Sequence, residues 1–158
     1  MRTPANIARH PIHPMLVPIP IGLWIFSLVC DLVYLAGGGE QWETVAQYNM
    51  VAGVIGALVA ALPGVIDMLS LSGTTRKVAL THMAINLTVV GLYVVNIFMR
   101  MGNPDNLKIA VGLSVAAIAL LVVSGWLGGK LVYEHRVAVD TGEEPAHLKT
   151  ARDERLRA

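Results

Sequence analysis

The stretch IAVGLSVAAIALLVVSGWLGG, from Ile109 to Gly129, decides the fold class because it contains no acidic, basic or histidine residue. A helix rises about 1.5 Å per residue, so roughly 20 such residues cross the ~30 Å hydrocarbon core of a bilayer. Three comparable apolar runs precede it, at Met15–Ala36, Tyr48–Leu71 and Val78–Met99. The sequence therefore predicts an all-α protein, an integral membrane four-helix bundle with up-down-up-down topology.

The composition favours a membrane protein and argues against several other classes. Apolar residues make up 54% of the chain and charged residues 15%, whereas soluble domains carry about 25% charged residues. A net charge of +1 without a basic patch gives no indication of nucleic-acid binding. The single cysteine, Cys30, excludes an intrachain disulfide. No nucleophile–base arrangement, phosphate-binding loop or nucleotide motif is present, so an enzyme is the less favoured class.

Four spans leave room for a single domain. We predict an N-terminal arm at residues 1–14 on the cytoplasmic surface or in the membrane interface, a four-helix transmembrane domain at 15–135, and a polar cytoplasmic tail at 136–158. Ten of the twelve lysines and arginines fall on the side of the two termini, and the first loop, Gly37–Thr44, has none. Because cationic loops stay in the cytoplasm, both termini are predicted on the cytoplasmic side of the membrane.

Polar residues on the third predicted helix form one stripe. At about 100° per residue they fall within roughly 80° of one another. The stripe consists of His82, Asn86, Tyr93, Asn96 and Arg100. Polar side chains are costly against lipid, so the stripe is expected to face protein, a cofactor or water. Interhelical hydrogen bonding and a pathway for protons or small solutes are both open interpretations.

A second set of polar residues is predicted to gather at the cytoplasmic end of the bundle. If neighbouring helices are antiparallel, the hairpin positions place four side chains at similar depth: His10, His13, Asp67 and His82. His135 joins them if the fourth helix bends at its glycine pair. Imidazole and carboxylate groups bind Fe and Zn, and two opposed histidines can hold a haem iron. The alternative is a hydrogen-bonded His–Asp network that anchors the N-terminal arm.

At the other end of the bundle the same depth estimate places Asp31, Asn49 and Arg100 at one level. A charge inside the membrane needs a partner, so we predict a structural polar cluster with an Asp31–Arg100 ion pair. Small residues also recur on one face of the second helix, which predicts close helix packing within the bundle or between protomers. They are Gly53, Ala57, Ala60 and Gly64.

Two segments, HPIHPMLVPIPIG at His10–Gly22 and SGWLGGKLVYEH at Ser124–His135, are distinctive. With Pro63-Gly64 before Asp67, and with His82, they resemble the bacterial four-helix membrane family catalogued as domain of unknown function 2231. The resemblance covers about Ala8–Val139. It implies a membrane location and a four-helix fold without an assigned chemistry. The family's polar positions match this chain at His10, His13, Asp67, His82 and His135.

The resemblance also indicates a functional direction. Some relatives are joined to Rieske-type iron–sulfur domains, which implies membrane electron transfer. One cysteine cannot build such a cluster here, so a separate redox partner protein is expected. We therefore expect binding of haem b or of a metal ion (Fe or Zn) for membrane redox chemistry. The alternative is a non-catalytic structural or accessory subunit of a larger membrane complex, or of a homo-oligomer, in contact with the lipid bilayer.

Overall fold

The computed structural model describes residues 3–102 and 106–139, and the predicted tail beyond Val139 lies outside this part of the chain. Two short strands come first, β1 (Asn6–Ile7) and β2 (His10–Pro11), followed by a short helix α1 (Ile12–Leu16). Four long helices follow, in the order α2 (Pro18–Leu35), α3 (Gln41–Leu69), α4 (Gly73–Gly102) and α5 (Leu107–Tyr133).

Four helical segments are long and apolar enough to cross a membrane, which confirms the predicted fold class. They are Ile12–Leu35, Gln41–Leu69, Gly73–Met101 and Leu107–Tyr133. The helices α3, α4 and α5 begin before the apolar runs that predicted them, because backbone hydrogen bonding continues through polar residues, whereas α2 lies within its run. Gly37 ends α2 with a φ of 96°, a left-handed conformation that glycine adopts without steric cost.

The bundle consists of two helical hairpins, α2 with α3 and α4 with α5, which then pack against each other. The small-residue face of α3 packs within the bundle. Gly53 lies against the indole of Trp24, and Gly64 lies against the ring of His13. Of the two predicted uses of this face, the structure therefore contains the one inside the protomer.

The N-terminal arm folds back onto the bundle. Its two strands pair antiparallel, with Ile7 opposite His10, and the backbone N–H of Ala5 donates to Oδ1 of Asp67 at 2.8 Å. Asp67 and Ala5 are both buried. A carboxylate of the second span, on α3, therefore holds the arm through a long-range hydrogen bond.

The orientation of the bundle remains a prediction from the cation distribution. A reporter fused after Gly39 is expected to report the periplasm, and one fused after Gly73 the cytoplasm, because the positive-inside rule places the second loop inside. Paired phosphatase and fluorescent-protein fusions measure this directly. A cytoplasmic signal after Gly39 would reverse the topology and move the N-terminal arm to the outer face.

Candidate functional site

The two hairpins bring one histidine each to the same point in the bundle interior. The ring centroids of His13 and His82 are 6.4 Å apart, and the ring planes are nearly perpendicular, at 88°. His13 belongs to α1 and His82 to α4. We call this end of the bundle the imidazole end.

His13 is fixed by the helix on which it packs. Its Nδ1 lies 2.8 Å from the backbone carbonyl oxygen of Ala60. A carbonyl oxygen only accepts, so Nδ1 carries the proton and Nε2 keeps its lone pair. The ring fits because position 64 is glycine: a Cβ there would lie 2.9 Å from Nδ1 of His13.

His82 is held in the same way by the second hairpin. Its Nδ1 lies 2.9 Å from the backbone carbonyl oxygen of Ser124 and 3.0 Å from the hydroxyl of the same residue. Gly128 supplies the space beside the ring, since a Cβ there would lie 3.3 Å from Cε1 of His82. Nδ1 again donates to a backbone carbonyl, which leaves the lone pair on Nε2.

Asn86 shapes the surroundings of the His82 lone pair. Its Nδ2 lies 2.6 Å from the Ser124 hydroxyl, 2.8 Å from the carbonyl oxygen of His82 and 3.2 Å from Nε2 of His82. An amide nitrogen carries only two hydrogens, and the two shorter contacts use both. The Nε2 lone pair of His82 therefore lies beside the amide of Asn86 without accepting a hydrogen bond from it.

The other three residues predicted for this cluster make different contacts. Asp67 binds the N-terminal arm, and His10 is exposed, with Nδ1 2.9 Å from the carbonyl oxygen of Ala8 in its own turn. His135 lies 3.0 Å from the hydroxyl of Thr75. Within the part of the chain that the structure describes, no group of three His, Cys, Asp or Glu side chains is placed to hold a metal ion. The predicted five-residue cluster is thus reduced to the His13–His82 pair.

The opposite end of the bundle, the ion-pair end, contains a hydrogen-bonded network. Both guanidinium NH2 groups of Arg100 donate to Asp31, each at 2.7 Å, and both side chains are buried. Nε of Arg100 donates to Oδ1 of Asn96 at 2.8 Å. Asn96 in turn donates to the Ala110 carbonyl at 2.7 Å and the Ser114 hydroxyl at 2.8 Å. The charges are therefore paired, and the Nε–H of Arg100 and the amide of Asn96 are hydrogen-bonded as well.

Asn49 does not join this network. Its Nδ2 donates to the carbonyl oxygen of Val45, one turn earlier in α3, at 2.8 Å. Sequence depth alone placed Asn49 beside Asp31, but an asparagine on a helix can satisfy itself on the preceding turn. Ser114, which the sequence did not single out, takes part in the network instead.

An aromatic pair lies between the two polar ends. The rings of Trp24 and Tyr93 stack with centroids 4.5 Å apart and an interplanar angle of 4°. Nε1 of Trp24 donates to the carbonyl oxygen of Met50 at 3.3 Å. The hydroxyl of Tyr93 is buried and has no hydrogen-bond partner among residues 3–102 and 106–139. Sequence reasoning found Tyr93 as part of the stripe and missed its partner.

Comparison with known families identifies the chain. Residues 9–141 match the family described as Predicted membrane protein (DUF2231). The chain belongs to this family. The match includes all four spans, both imidazoles and the Asp31–Arg100 pair, so the geometry above lies within the family domain. No curated protein matches the chain, and no solved structure matches it.

Proposed function

We propose that this protein binds haem b inside the membrane, where His13 and His82 would hold the iron, and that it takes part in electron transfer in the bacterial inner membrane. The observation that carries the proposal is the state of the two imidazoles. Each donates Nδ1–H to a backbone carbonyl and keeps the Nε2 lone pair. Metal-bound histidines in proteins use this arrangement, which fixes the tautomer and orients the ring.

The separation of the rings fits the proposed ligand. A metal lies about 2.0–2.1 Å from an imidazole nitrogen, and the ring centroid lies a further ~1.1 Å away, so two axial imidazoles on opposite sides of an iron have centroids ~6.3 Å apart. The centroids of His13 and His82 are 6.4 Å apart. A perpendicular pair of rings is compatible with axial ligation, because each ring rotates independently about its bond to iron.

Haem is favoured over a bare ion because the described residues bring only two imidazoles together. Protein zinc sites use three or four side chains, and the described residues contain no such group. A porphyrin provides the other four nitrogens itself. Glycines nearby supply open surface: a Cβ at Gly125 or Gly129 would meet no described atom within 4 Å. When bound, a haem with two histidine ligands supplies a one-electron centre.

Residues around the two imidazoles orient the rings and surround the site. The backbone carbonyls of Ala60 and Ser124 accept the Nδ1–H hydrogen bonds, and Gly64 and Gly128 leave space for the rings. The apolar spans exclude water from the site. Electron transfer needs a partner with its own redox centre, because no second centre is apparent in this sequence. The alternative is an accessory subunit of a larger complex. The small-residue face of α3 supports it less, because that face packs within the bundle.

The test is an absorption spectrum of the full-length protein purified in detergent from its native membrane. We expect a Soret band that disappears in His82→Ala and His13→Ala, and that is retained in the matched control His10→Ala. Elemental analysis of the same preparation measures its iron and zinc content. Folded protein without a Soret band would overturn the proposal, and stoichiometric Zn or Fe without a Soret band would replace haem by a bare ion.

A further inference from the structure

Three pairs of residues in contact across the bundle share one spacing in the sequence. Asp31 and Arg100 form the buried ion pair and are 69 residues apart. Trp24 and Tyr93 stack on each other at the same spacing. The imidazoles of His13 and His82 face each other, again at this spacing. A constant offset between contacting residues indicates that the first and third spans are equivalent.

The sequences of the two spans agree with this equivalence. Gly22-Leu23-Trp24 begins nine residues after His13, and Gly91-Leu92-Tyr93 begins nine residues after His82. Four buried positions of α2 coincide with four buried positions of α4: Pro20, Trp24, Ser27 and Asp31 match Val89, Tyr93, Asn96 and Arg100. Two further buried residues, Cys30 of α2 and Ala79 of α4, have no buried counterpart at this offset.

The second and fourth spans are related in the same way, at an offset of 64 residues. Ala60 and Ser124 supply the two carbonyls that hold the imidazoles, and Gly64 and Gly128 supply the space beside the rings. Five buried positions of α3 match five buried positions of α5 at this offset: Ala46, Met50, Gly53, Ala60 and Asp67 match Ala110, Ser114, Ala117, Ser124 and Leu131. The other buried residues, Pro63 and Met68 of α3 and Leu121 of α5, have no buried counterpart.

We infer that the chain is a duplicated two-helix unit whose halves meet about an approximate two-fold axis, and that the His13–His82 site lies on this axis. In a two-fold interface, a residue on the axis contacts its own equivalent. Three such pairs are present, one at each end and one in the middle. Equivalent spans run in the same direction, so the axis runs along the membrane normal, as in other parallel repeats.

The axis restricts what the imidazole site can bind, and this step rests on the proposed function. Each half presents an imidazole, a backbone carbonyl and a glycine. The half with His82 adds the side chains of Asn86 and Ser124, where the other half has Val17 and Ala60. A ligand on the axis meets two equivalent donors on opposite sides. This describes a planar metal complex with two equivalent faces, such as a metalloporphyrin, to which His13 and His82 contribute equally.

The aromatic layer offers a test of the symmetry that needs no ligand. Trp24 is the larger ring, and glycine is required beside it, since a Cβ on Gly53 would lie 2.4 Å from Nε1 of Trp24. The equivalent ring, Tyr93, is smaller, and the position equivalent to Gly53 is Ala117, in the same core cluster. The first half therefore combines the larger ring, Trp24, with the smaller neighbour, Gly53. The second half combines the smaller ring, Tyr93, with the larger neighbour, Ala117.

The experiment exchanges the layer in two steps in the full-length protein. Trp24→Tyr/Tyr93→Trp places an indole against the methyl group of Ala117 and is expected to lower Tm by ~5 °C or more, as overpacking does. Adding Gly53→Ala/Ala117→Gly to this variant completes the exchange and is expected to reverse most of the decrease in Tm. If the variant with all four substitutions is no more stable than the variant with two, the duplication is overturned. An unchanged Tm in the variant with two substitutions would overturn it as well.

The ligand step has a separate readout. If native protein carries haem, His13→Ala and His82→Ala are expected to weaken haem retention to the same extent, within a few-fold. Loss in one variant and full retention in the other would overturn the equal contribution of the two imidazoles. Absence of haem from the native protein would overturn the proposed function, while the exchange of the aromatic layer would still decide the symmetry.

Discussion

Replacing Asp31 by alanine is expected to lower the free energy of unfolding by about 3–5 kcal/mol, because it leaves the guanidinium of Arg100 buried without a counter-charge. The two groups share a pair of 2.7 Å hydrogen bonds and are almost fully buried. Such a loss is a large part of the ~5–15 kcal/mol that stabilises a typical protein. Thermal or denaturant unfolding in detergent measures it.

The double variant Asp31→Ala/Arg100→Ala is expected to recover part of the loss, since both charges are then removed together. The control is Glu134→Ala, which breaks the exposed contact between Lys130 and Glu134 at 3.5 Å. An exposed pair of this kind contributes about 0–1 kcal/mol. Losses that simply add in the double variant would contradict a functional ion pair between Asp31 and Arg100.

Gly64→Ala is expected to displace the ring of His13 and to remove the ligand site with it. The added Cβ would lie 2.9 Å from Nδ1 and 3.0 Å from Cε1, closer than carbon and nitrogen atoms normally approach. Moving the ring breaks its hydrogen bond to Ala60, and overpacking of this kind costs about 1–3 kcal/mol. We therefore expect a lower Tm and, in haem-loaded protein, loss of the Soret band.

The same helix contains a matched control for this substitution. A Cβ at Gly56 would lie 3.6 Å from its nearest neighbour, Pro20, which is an ordinary van der Waals contact. Alanine also has a higher helix propensity than glycine, by up to ~1 kcal/mol. Gly56→Ala should therefore leave stability unchanged or raise it. Equal effects at positions 56 and 64 would show that the ring of His13 does not occupy the place described here.

The heights of residues in the bundle could be predicted from the sequence, because helices have a fixed rise and the loops are short. Counting at this rise from a turn near Pro104 places His82 level with Trp126, and His82 in fact contacts Ser124 and Gly128, on either side of that position. The estimate carried no information about the direction in which a side chain points. Trp126 itself is 80% exposed on the outer surface of the bundle.

The direction of side chains explains where the predicted cluster differed from the observed site. Asp67 has a suitable height, but it accepts a backbone N–H from Ala5, and an apolar-run pattern gives no signal for such a contact. His10 follows a two-residue turn in which Ala8 and Arg9 have φ of 49° and 69°, a conformation not indicated by these residue types. The repeat of His13 and Gly22-Leu23-Trp24 was, by contrast, present in the sequence.

The apolar layer between the two polar ends has an electrical consequence. On α4, Val89 is the buried residue between Asn86 and Tyr93, and Leu121 is buried at a corresponding level on α5. A charge passing from the imidazoles to the ion pair would have to leave its polar neighbours there, at a cost of several kcal/mol. We therefore expect this layer to oppose the passage of charge between the two ends of the bundle.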